Sequence, residues 1–416
     1  MSGRAADDRV SFTRIYFAFA AAYVLSYVYR TVNAVIAPDL MRELSLSPGS
    51  LGLLTGAYFI AFAAMQLPIG MLLDRYGPRR VEPVLLVIAG LGALSFAFAR
   101  HVATLTFARG MIGAGVAACL MAPLKAIATW YPLQRRAALS GWIMFAGGCG
   151  ALLATSPLEI VLESVSWRTV FVGLALATFA AAAAVFWRVP DVPRHPDVLG
   201  FRAQWRGVRA VFAHRRLWWL VPVGGVGIGA FMAIQGLWSV PWMMEVEGYS
   251  RATAARHLLA VGVVMLIGYM GLGVFATRLA AYGVHARHLY GAGFGLNFVA
   301  LVAITLQLPG SYFWWSAYGF GAIVNVLGFT VVNDGLPSEL AGRTNTAVNL
   351  LMFTCVFAAQ WGIGVIVDVA RASLGYDTAA GLRLAFAICI ALYAAAFVWF
   401  FYGWRRYAHP RLATAS

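Results

Sequence analysis

Charged residues are scarce in this chain. Asp, Glu, Lys and Arg make up 11% of its 416 residues, whereas soluble domains carry about 25%. Acidic residues are the scarcer kind, with 16 Asp and Glu against 31 Lys and Arg, and lysine occurs once, at Lys125. Hydrophobic residues make up 61%. This composition excludes an ordinary soluble domain and indicates a membrane protein.

Patterns that hold metals or perform covalent chemistry are missing as well. The four cysteines form no C-x-x-C pair, and the seven histidines make no ligand spacing such as H-E-x-x-H. No pairing of a nucleophile with a base stands out in the sequence. We therefore expect neither an enzyme nor a bound metal or cofactor.

Long apolar runs are what the chain has in abundance. A membrane-crossing helix needs about 20 apolar residues, and lipid requires each span to satisfy its own backbone as an α-helix. The predicted fold class is therefore an all-α membrane protein with twelve transmembrane helices. Their predicted ranges are 14–37, 50–73, 81–99, 102–130, 137–160, 168–189, 217–243, 255–277, 287–308, 311–335, 345–369 and 382–404.

Basic residues are unevenly distributed between the two sides of the membrane. If the N-terminus is cytoplasmic, the cytoplasmic loops contain most of the Lys and Arg residues, which is the arrangement that sets orientation. We therefore expect both termini in the cytoplasm. The basic run from Arg188 to Arg216 would then lie against anionic membrane lipid, and we expect no nucleic-acid partner.

The two halves of the chain resemble each other weakly. Pro132 and Pro337 each lie in a loop between two spans, at an offset of 205 residues. Similar halves joined by a polar linker are typical of two pseudo-symmetric six-helix bundles around a central site. The predicted division is an N-terminal bundle (1–190), a cytoplasmic linker (191–216) and a C-terminal bundle (217–416).

A charged turn with glycines joins the second and third spans. It reads Gly70-Met-Leu-Leu-Asp74-Arg75-Tyr-Gly77-Pro-Arg79-Arg80. The turn resembles the G-x-x-x-D-R-x-G-R-R signature of the major facilitator superfamily and departs from it in Pro78. The resemblance extends over nearly the whole chain. It implies the major facilitator fold and secondary transport.

The resemblance also implies roles for individual residues. The motif from Gly70 to Arg80 would form an inner gate, with Asp74 paired to a basic residue after the fourth span, here Arg136. Arg109 resembles the superfamily arginine that is linked to proton coupling. A packing role for Arg109 is the alternative.

Arg30 lies within the first span, where an ionisable group costs about 2.5–3.5 kcal/mol on insertion scales. Tyr23, Tyr27 and Arg30 share one helix face, with Asn33 at its edge, as in a helix that lines a cavity. The alternative is an arginine that reaches the outer membrane interface. The segment 26–38 resembles helix 1 of the organophosphate and organic-anion branches, where an arginine at this place binds the anionic group of the substrate.

Further substrate contacts are predicted at uncharged positions. Gln235 occupies the symmetry-related place at which the organophosphate exchangers carry a second arginine. One guanidinium beside a neutral amide fits a monoanion or zwitterion better than a phosphate monoester. Lys125, Trp238 and Asn349 are the other candidates, although Lys125 could instead lean towards the cytoplasm.

Carboxylates are placed at the ends of the predicted spans or in the linker, and none falls clearly at the membrane midplane. Proton-driven carriers commonly use a buried Asp or Glu as a relay. Coupling here would therefore use Arg109 or an edge carboxylate such as Asp334 or Asp39. Two alternatives are that the substrate carries the proton, or that the protein is an exchanger.

These observations predict a secondary active transporter that moves a small organic anion across a bacterial inner membrane by alternating access. Its expected partners are a small-molecule substrate, a co-transported or exchanged ion and membrane lipids, and we expect a monomer. A multidrug or siderophore exporter of the same superfamily and a transporter-like solute receptor are the alternatives.

Overall fold

The protein is helical throughout the part of the chain that the structure describes. A computed structural model describes residues 12–191, 212–213, 215–284, 286–328, 331 and 341–407. Every regular element in these ranges is a helix. This agrees with the predicted fold class, because lipid offers backbone groups no hydrogen-bond partner outside their own segment.

Helices of the first half follow the predicted spans, with one interruption. They are α1 (Phe12–Leu44), α2 (Pro48–Tyr76), α3 (Pro78–Phe98), α4 (Val102–Gly115), α5 (Met121–Trp130), α6 (Leu133–Leu153), α7 (Ser156–Leu162) and α8 (Trp167–Arg188). Residues 116–120 form turns between α4 and α5, within the predicted span 102–130. A membrane helix bends where its hydrogen-bond ladder is interrupted, so α5 need not continue the direction of α4.

Helices of the second half include two irregular turns. The elements are α9 (Arg215–Ala233), a π-helical turn (Ile234–Trp238), α10 (Ser239–Glu245), α11 (Arg251–Ala281), α12 (Ala286–Thr305), α13 (Ser311–Ala322), a 3₁₀ turn (Ile323–Val326), α14 (Ala341–Leu374) and α15 (Thr378–Tyr407). Single π-helical turns inside α-helices are frequent at functional sites.

Ten helical segments among the described residues are long and apolar enough to cross a membrane. The predicted spans 102–130 and 311–335 are not among them. The first is divided by the break at 116–120, and the second continues from the 3₁₀ turn into residues outside the described part of the chain.

Short sequence signals set several helix ends. Ser47 and Ser166 precede α2 and α8, and each side chain accepts a hydrogen bond from a backbone amide at the start of its helix. Pro48 and Pro78 are at the start of α2 and α3. The first N–H groups of a helix have no partner within the helix, so proline, which lacks an N–H, is tolerated there. Gly77 between these helices has a φ of 75°, which glycine adopts without a Cβ clash.

The helices pack on one another within each half, and the packing of α2 on α14 between the halves is the most extensive helix contact among the described residues. The α3 helix packs on α4 and α8, whereas α9 packs on α14 and α15. The halves meet where α2 packs on α14, where α1 contacts the turn 234–238, and where α11 contacts α6 and α7. The division at 1–190, 191–216 and 217–416 stays a prediction, because most of the linker lies outside the described residues.

Gly113 allows α4 to approach α2 closely. A Cβ atom at this position would overlap the backbone of Tyr58. A Cβ at Gly150 in α6 would likewise meet the carbonyl oxygen of Val24 in α1. Small residues at helix crossings let membrane helices pack with their backbones in contact. A larger side chain at either position would push two helices apart.

The substitution Gly113→Ala should therefore lower thermal stability, because overpacking costs about 1–3 kcal/mol. Gly173→Ala in α8 is the matched control, since a methyl group there meets nothing within 4 Å. Alanine in that helix should be neutral or stabilising by up to about 1 kcal/mol. Thermal unfolding of both purified variants measures the difference, and equal melting temperatures would contradict the close α2–α4 contact.

Candidate functional site

Arg30 points between the two halves of the protein. Its guanidinium carbon lies 4.7 Å from the ring centre of Tyr27 in α1, 5.3 Å from that of Phe62 in α2 and 5.5 Å from that of Phe353 in α14. Aromatic faces attract a cation through the ring quadrupole. Because α14 belongs to the second half, the guanidinium lies at the junction of the halves, and it does not extend to the outer membrane interface.

The Arg30 guanidinium has no carboxylate partner in the described part of the chain. Its Nε is buried and donates no hydrogen bond. The ion pairs of the described residues involve other basic side chains. An arginine in a protein keeps its proton, and burying an unpaired charge is strongly unfavourable. The site is therefore electrostatically incomplete without an anion.

Two of the predicted substrate contacts are used in helix packing instead. The Asn33 amide donates to the Thr55 hydroxyl at 2.9 Å and is fully buried between α1 and α2. The Trp238 indole donates to the carbonyl oxygen of Gln360 at 3.0 Å and is buried between the seventh span and α14. Buried polar groups need such partners. Neighbouring helices supply them for the Asn33 amide nitrogen and the Trp238 indole, whereas the buried Asn33 Oδ1 has none among the described residues.

Gln235 and Asn349 belong to the segments of the second half that approach Arg30. Gln235 belongs to the π-helical turn, and a Cβ at the adjacent Gly236 would lie 3.9 Å from the carbonyl oxygen of Arg30. Asn349 is half-buried and precedes Phe353 by one helical turn, which places the two side chains on one face of α14. The second half therefore presents amide groups on both of the helices that approach Arg30.

Sequence reasoning placed Tyr27 beside Arg30 but missed the other aromatic residues around it. Phe62 and Phe353 are indistinguishable in sequence from phenylalanines that face lipid. Tyr269 in α11 is 44% exposed, yet it lies near enough to Arg30 and Tyr27 to interact with them electrostatically. A weak sequence signal existed for Tyr269 alone, as a polar aromatic within a span. Its position indicates that α11 also lines the space beside Arg30.

Arg109 is bound to the backbone next to the site. Both of its terminal nitrogens donate to the carbonyl oxygen of Tyr29 at 3.1 Å, and the side chain is fully buried. Its guanidinium lies 5.1 Å from the ring centre of Tyr58. Arg109 thus fixes α1 against α2 and α4 one residue away from Arg30. Asp334, the other predicted coupling residue, lies outside the described residues.

The sequence motif forms a different ion pair from the expected one. The Asp74 carboxylate accepts a hydrogen bond from Lys125 Nζ at 2.6 Å. Arg136, the predicted partner, donates instead to the carbonyl oxygen of its near neighbour Tyr131. Lys125 belongs to α5, which follows the break at 116–120 and contacts α2, and its ammonium group is bound to Asp74. Both side chains are partly exposed, and such pairs are worth about 0–1 kcal/mol.

The arginines of the motif bind the end of α8. Arg79 donates to the carbonyl oxygen of Phe186 at 2.9 Å, and both Arg79 and Arg80 pair with Asp191. Arg75 lies over the Tyr76 ring at the surface. A Cβ at Gly70 would meet nothing within 4 Å, so this glycine is not required by close packing. We call this part of the protein the motif end.

Glu82 lies at the end of a predicted span, but its burial was not expected from the sequence. It belongs to the first turns of α3 and is fully buried. Counting residues along a span locates a side chain in depth, but it cannot show that α4 and α8 cover it. The described residues show no nitrogen or oxygen partner for either carboxyl oxygen.

Arg251 joins the two halves at the opposite end, which we call the lock end. This arginine begins α11 and donates to Asp39 in α1 at 2.6 Å. Its Nε also lies 2.6 Å from a Glu159 carboxyl oxygen in α7, although the angle is too bent for a hydrogen bond. One cation of the second half therefore holds two carboxylates of the first.

Asp368 adds a second contact at the lock end. Its carboxylate accepts hydrogen bonds from the Ser47 hydroxyl at 2.8 Å and the Gly49 amide at 2.9 Å. The end of α14 thus places a negative charge at the positive N-terminus of α2. Close backbone packing of Gly364 on Pro48 continues this contact. These polar contacts between the halves close the lock end.

Two apolar helical halves that meet at a partly buried cation without a carboxylate partner among the described residues, and that ion pairs join at one end, are the arrangement of a membrane transporter. The chain belongs to the Major Facilitator Superfamily, whose family model matches residues 19–359. This finding confirms the signature identified at residues 70–80 and the predicted all-α fold. The family consists of transporters, and the protein is not an enzyme.

Relatives and solved structures agree with this assignment. A probable sulfoacetate transporter of Cupriavidus necator is 24% identical over 372 residues, or 85% of this chain and 84% of that protein. A hexuronate transporter of Escherichia coli is 30% identical over 174 residues, or 41% of this chain and 40% of that protein. The structure of a bacterial homologue of the human lysosomal transporter Spinster, inward-facing and unoccupied, has a TM-score of 0.77 and 19% identity, and the match covers 97% of this chain and 99% of that one.

The lock end contains a carboxyl group, that of Glu159, whose protonation should differ between the closed and the open form. Burial raises the pKa of Glu159, and Arg251 only partly opposes this shift. In an open, solvated lock this carboxyl would titrate near its ordinary value of 4.5. The closed lock therefore binds more protons. The contribution of Glu159 to the stability of the closed form is therefore greatest below pH 4.5. It is lost as the pH rises through the raised pKa of Glu159.

Glu159→Gln should make closure of the lock end independent of pH in this window, because the amide stays neutral. Glu163→Gln is the matched control, since Glu163 is an exposed neighbour outside the Arg251 cluster. Spin labels on the lock-end turns of α1 and α11 would report the distance between the halves in lipid bilayers as the pH is lowered. Identical pH curves for the wild type and Glu159→Gln would contradict the role of Glu159.

Proposed function

We propose that this protein is a secondary active carrier of a small organic anion. The observation that supports this most directly is the Arg30 guanidinium, which lies between the two halves without a carboxylate partner in the described residues. A guanidinium presents a planar fork of donors that matches a carboxylate. Bound substrate would supply the missing negative charge at the place where both halves can contact it.

A single negative group fits this site better than two. Lys125 is bound to Asp74 and Arg109 to the Tyr29 carbonyl oxygen, so Arg30 is the one basic group offered to the space between the halves by the described spans. The relatives carry hexuronate, which has one carboxylate, and sulfoacetate, which has two anionic groups. We therefore favour a monoanion of the sugar-acid kind, with its hydroxyls near Tyr27 and Gln235.

Alternating access would use the two ends of the molecule. The Arg251 cluster would hold the lock end closed, and the Asp74–Lys125 pair would act as a latch at the motif end. Rocking of the halves about the central site would open each end in turn. With both termini in the cytoplasm of a bacterial inner membrane, the lock end is the outer one, and the described form has its outer gate shut.

A ligand screen on purified protein tests the proposal. Carboxylates, phosphates, amino acids and chelators would be compared for their effect on the melting temperature of the wild type and of Arg30→Gln. Hydrogen bonds to a charged group are worth about 1.5–3 kcal/mol. Arg30→Gln should therefore weaken binding of the stabilising carboxylate by roughly 10- to 150-fold.

Arg256→Gln is the matched control for this screen. Arg256 is an exposed arginine of α11 that contacts Thr253 in its own helix. This variant should keep the wild-type response to carboxylates. Equal stabilisation of all three proteins would refute the role of Arg30. Transport of lipophilic cations that survives Arg30→Ala would favour drug export, and binding without flux in vesicles would favour a receptor.

A further inference from the structure

Glu82 is a buried ionisable group, and the transport cycle proposed above assigns it no role. It is 0% exposed in α3, and neither of its carboxyl oxygens has a nitrogen or oxygen partner among the described residues. The thiol of Cys119, also fully buried, lies close enough to interact with Glu82. A thiol is a weak donor and leaves the charge of a carboxylate almost uncompensated.

Basic residues on the helices around Glu82 are engaged elsewhere. The α3 helix packs on α8, α4, α2 and α5. From these helices Lys125 binds Asp74, and Arg109 binds the Tyr29 carbonyl oxygen. The other basic residues of these five helices lie at helix ends. Arg79 and Arg80 pair with Asp191, Arg168 pairs with Glu43, Arg75 lies over the Tyr76 ring, and Arg188 is exposed. The remaining titratable group, the Tyr58 hydroxyl, donates to the Ser26 carbonyl oxygen.

Cys119 lies in the break between α4 and α5. Its amide bonds to the carbonyl oxygen of Val116, three residues back, at 3.1 Å, in place of the four-residue spacing of an α-helix. Such tightened turns within a membrane helix often mark a hinge. Gly115, at the start of the break, packs on the backbone of α3. Cys119 is also near enough to Arg30 to interact with its charge, so the break lies between Glu82 and the anion site without contacting a basic partner for Glu82 among the described residues.

We propose that Glu82 is the proton-binding site of this carrier. The inference rests on the proposed function, because it assigns the proton that accompanies the anion at Arg30. In the form with a closed lock end, Glu82 is a neutral carboxylic acid, since a buried carboxylate without partners is strongly disfavoured. Rearrangement of residues 116–120 opens Glu82 to water, its O–H proton leaves as hydronium, and the carboxylate remains. Buried carboxyls in membrane spans commonly serve as such relays.

Infrared spectroscopy tests the protonation state without a substrate. Wild-type protein in lipid nanodiscs should show a carboxylic-acid carbonyl band at neutral pH that is missing in Glu82→Gln and retained in Glu245→Gln, a control at an exposed carboxylate. Cys119→Ala should move this band to higher frequency, because the neighbouring thiol, a weak donor, is removed. A spectrum of Glu82→Gln that keeps the band, or no band shift in Cys119→Ala, would overturn the proposal. The Cys119→Ala arm decides the question if Glu82→Gln fails to fold.

Transport assays distinguish the role of the proton-binding site from that of the anion-binding site. Labelled galacturonate and sulfoacetate would be the probes in proteoliposomes. Glu82→Gln should keep exchange of labelled for unlabelled anion at equal pH, but accumulate at least tenfold less than wild type under a pH gradient. Wild-type accumulation in Glu82→Gln, or wild-type exchange without any response to the gradient, would overturn the role of Glu82. If the wild type moves neither probe, the proposed substrate class fails, and the infrared result alone decides on Glu82.

Discussion

An unpaired guanidinium between two helical halves is the constraint on which the rest of this structure depends. The charge of Arg30 is partly compensated by three aromatic rings, two from the first half and one from the second. Cation–π contacts are worth about 0.5–2 kcal/mol each, less than a buried charge loses on leaving water. The remaining stabilisation must come from an anion that enters the site. Lys125 and Arg109 are bound to other partners, so the site offers one positive charge.

The two ends of the molecule differ in how firmly they are held. At the lock end Arg251 bridges Asp39 and Glu159 from partly buried positions, and Asp368 binds the start of α2. At the motif end the Asp74–Lys125 pair is more exposed and lies within one half. Exposed pairs contribute little, whereas breaking a buried pair is unfavourable by about 3–5 kcal/mol. The form with a closed lock end is therefore expected to be favoured in the absence of substrate.

The sequence was sufficient to predict the helical fold and the family, because apolar length and a short charged motif are local properties. It could not predict the Asp74–Lys125 pair. Residue spacing gives relative positions only along a continuous helix, and turns at 116–120 interrupt the helix between Arg109 and Lys125. The burial of Glu82 was hidden for a related reason, because coverage by neighbouring helices is a tertiary property. Asn33 and Trp238 were predicted to line a cavity because they are polar or amphipathic residues within spans. Their side chains instead form hydrogen bonds between packed helices.

Comparing a carboxylate with its uncharged amide tests the central claim most directly. Galacturonate and its primary amide have nearly the same shape and differ in the negative charge that Arg30 should bind. At constant ionic strength, wild-type protein should bind the carboxylate at least about tenfold more tightly, since a hydrogen bond to a charged group is worth about 1.5–3 kcal/mol. Equal affinity for the two compounds would contradict an anion site at Arg30.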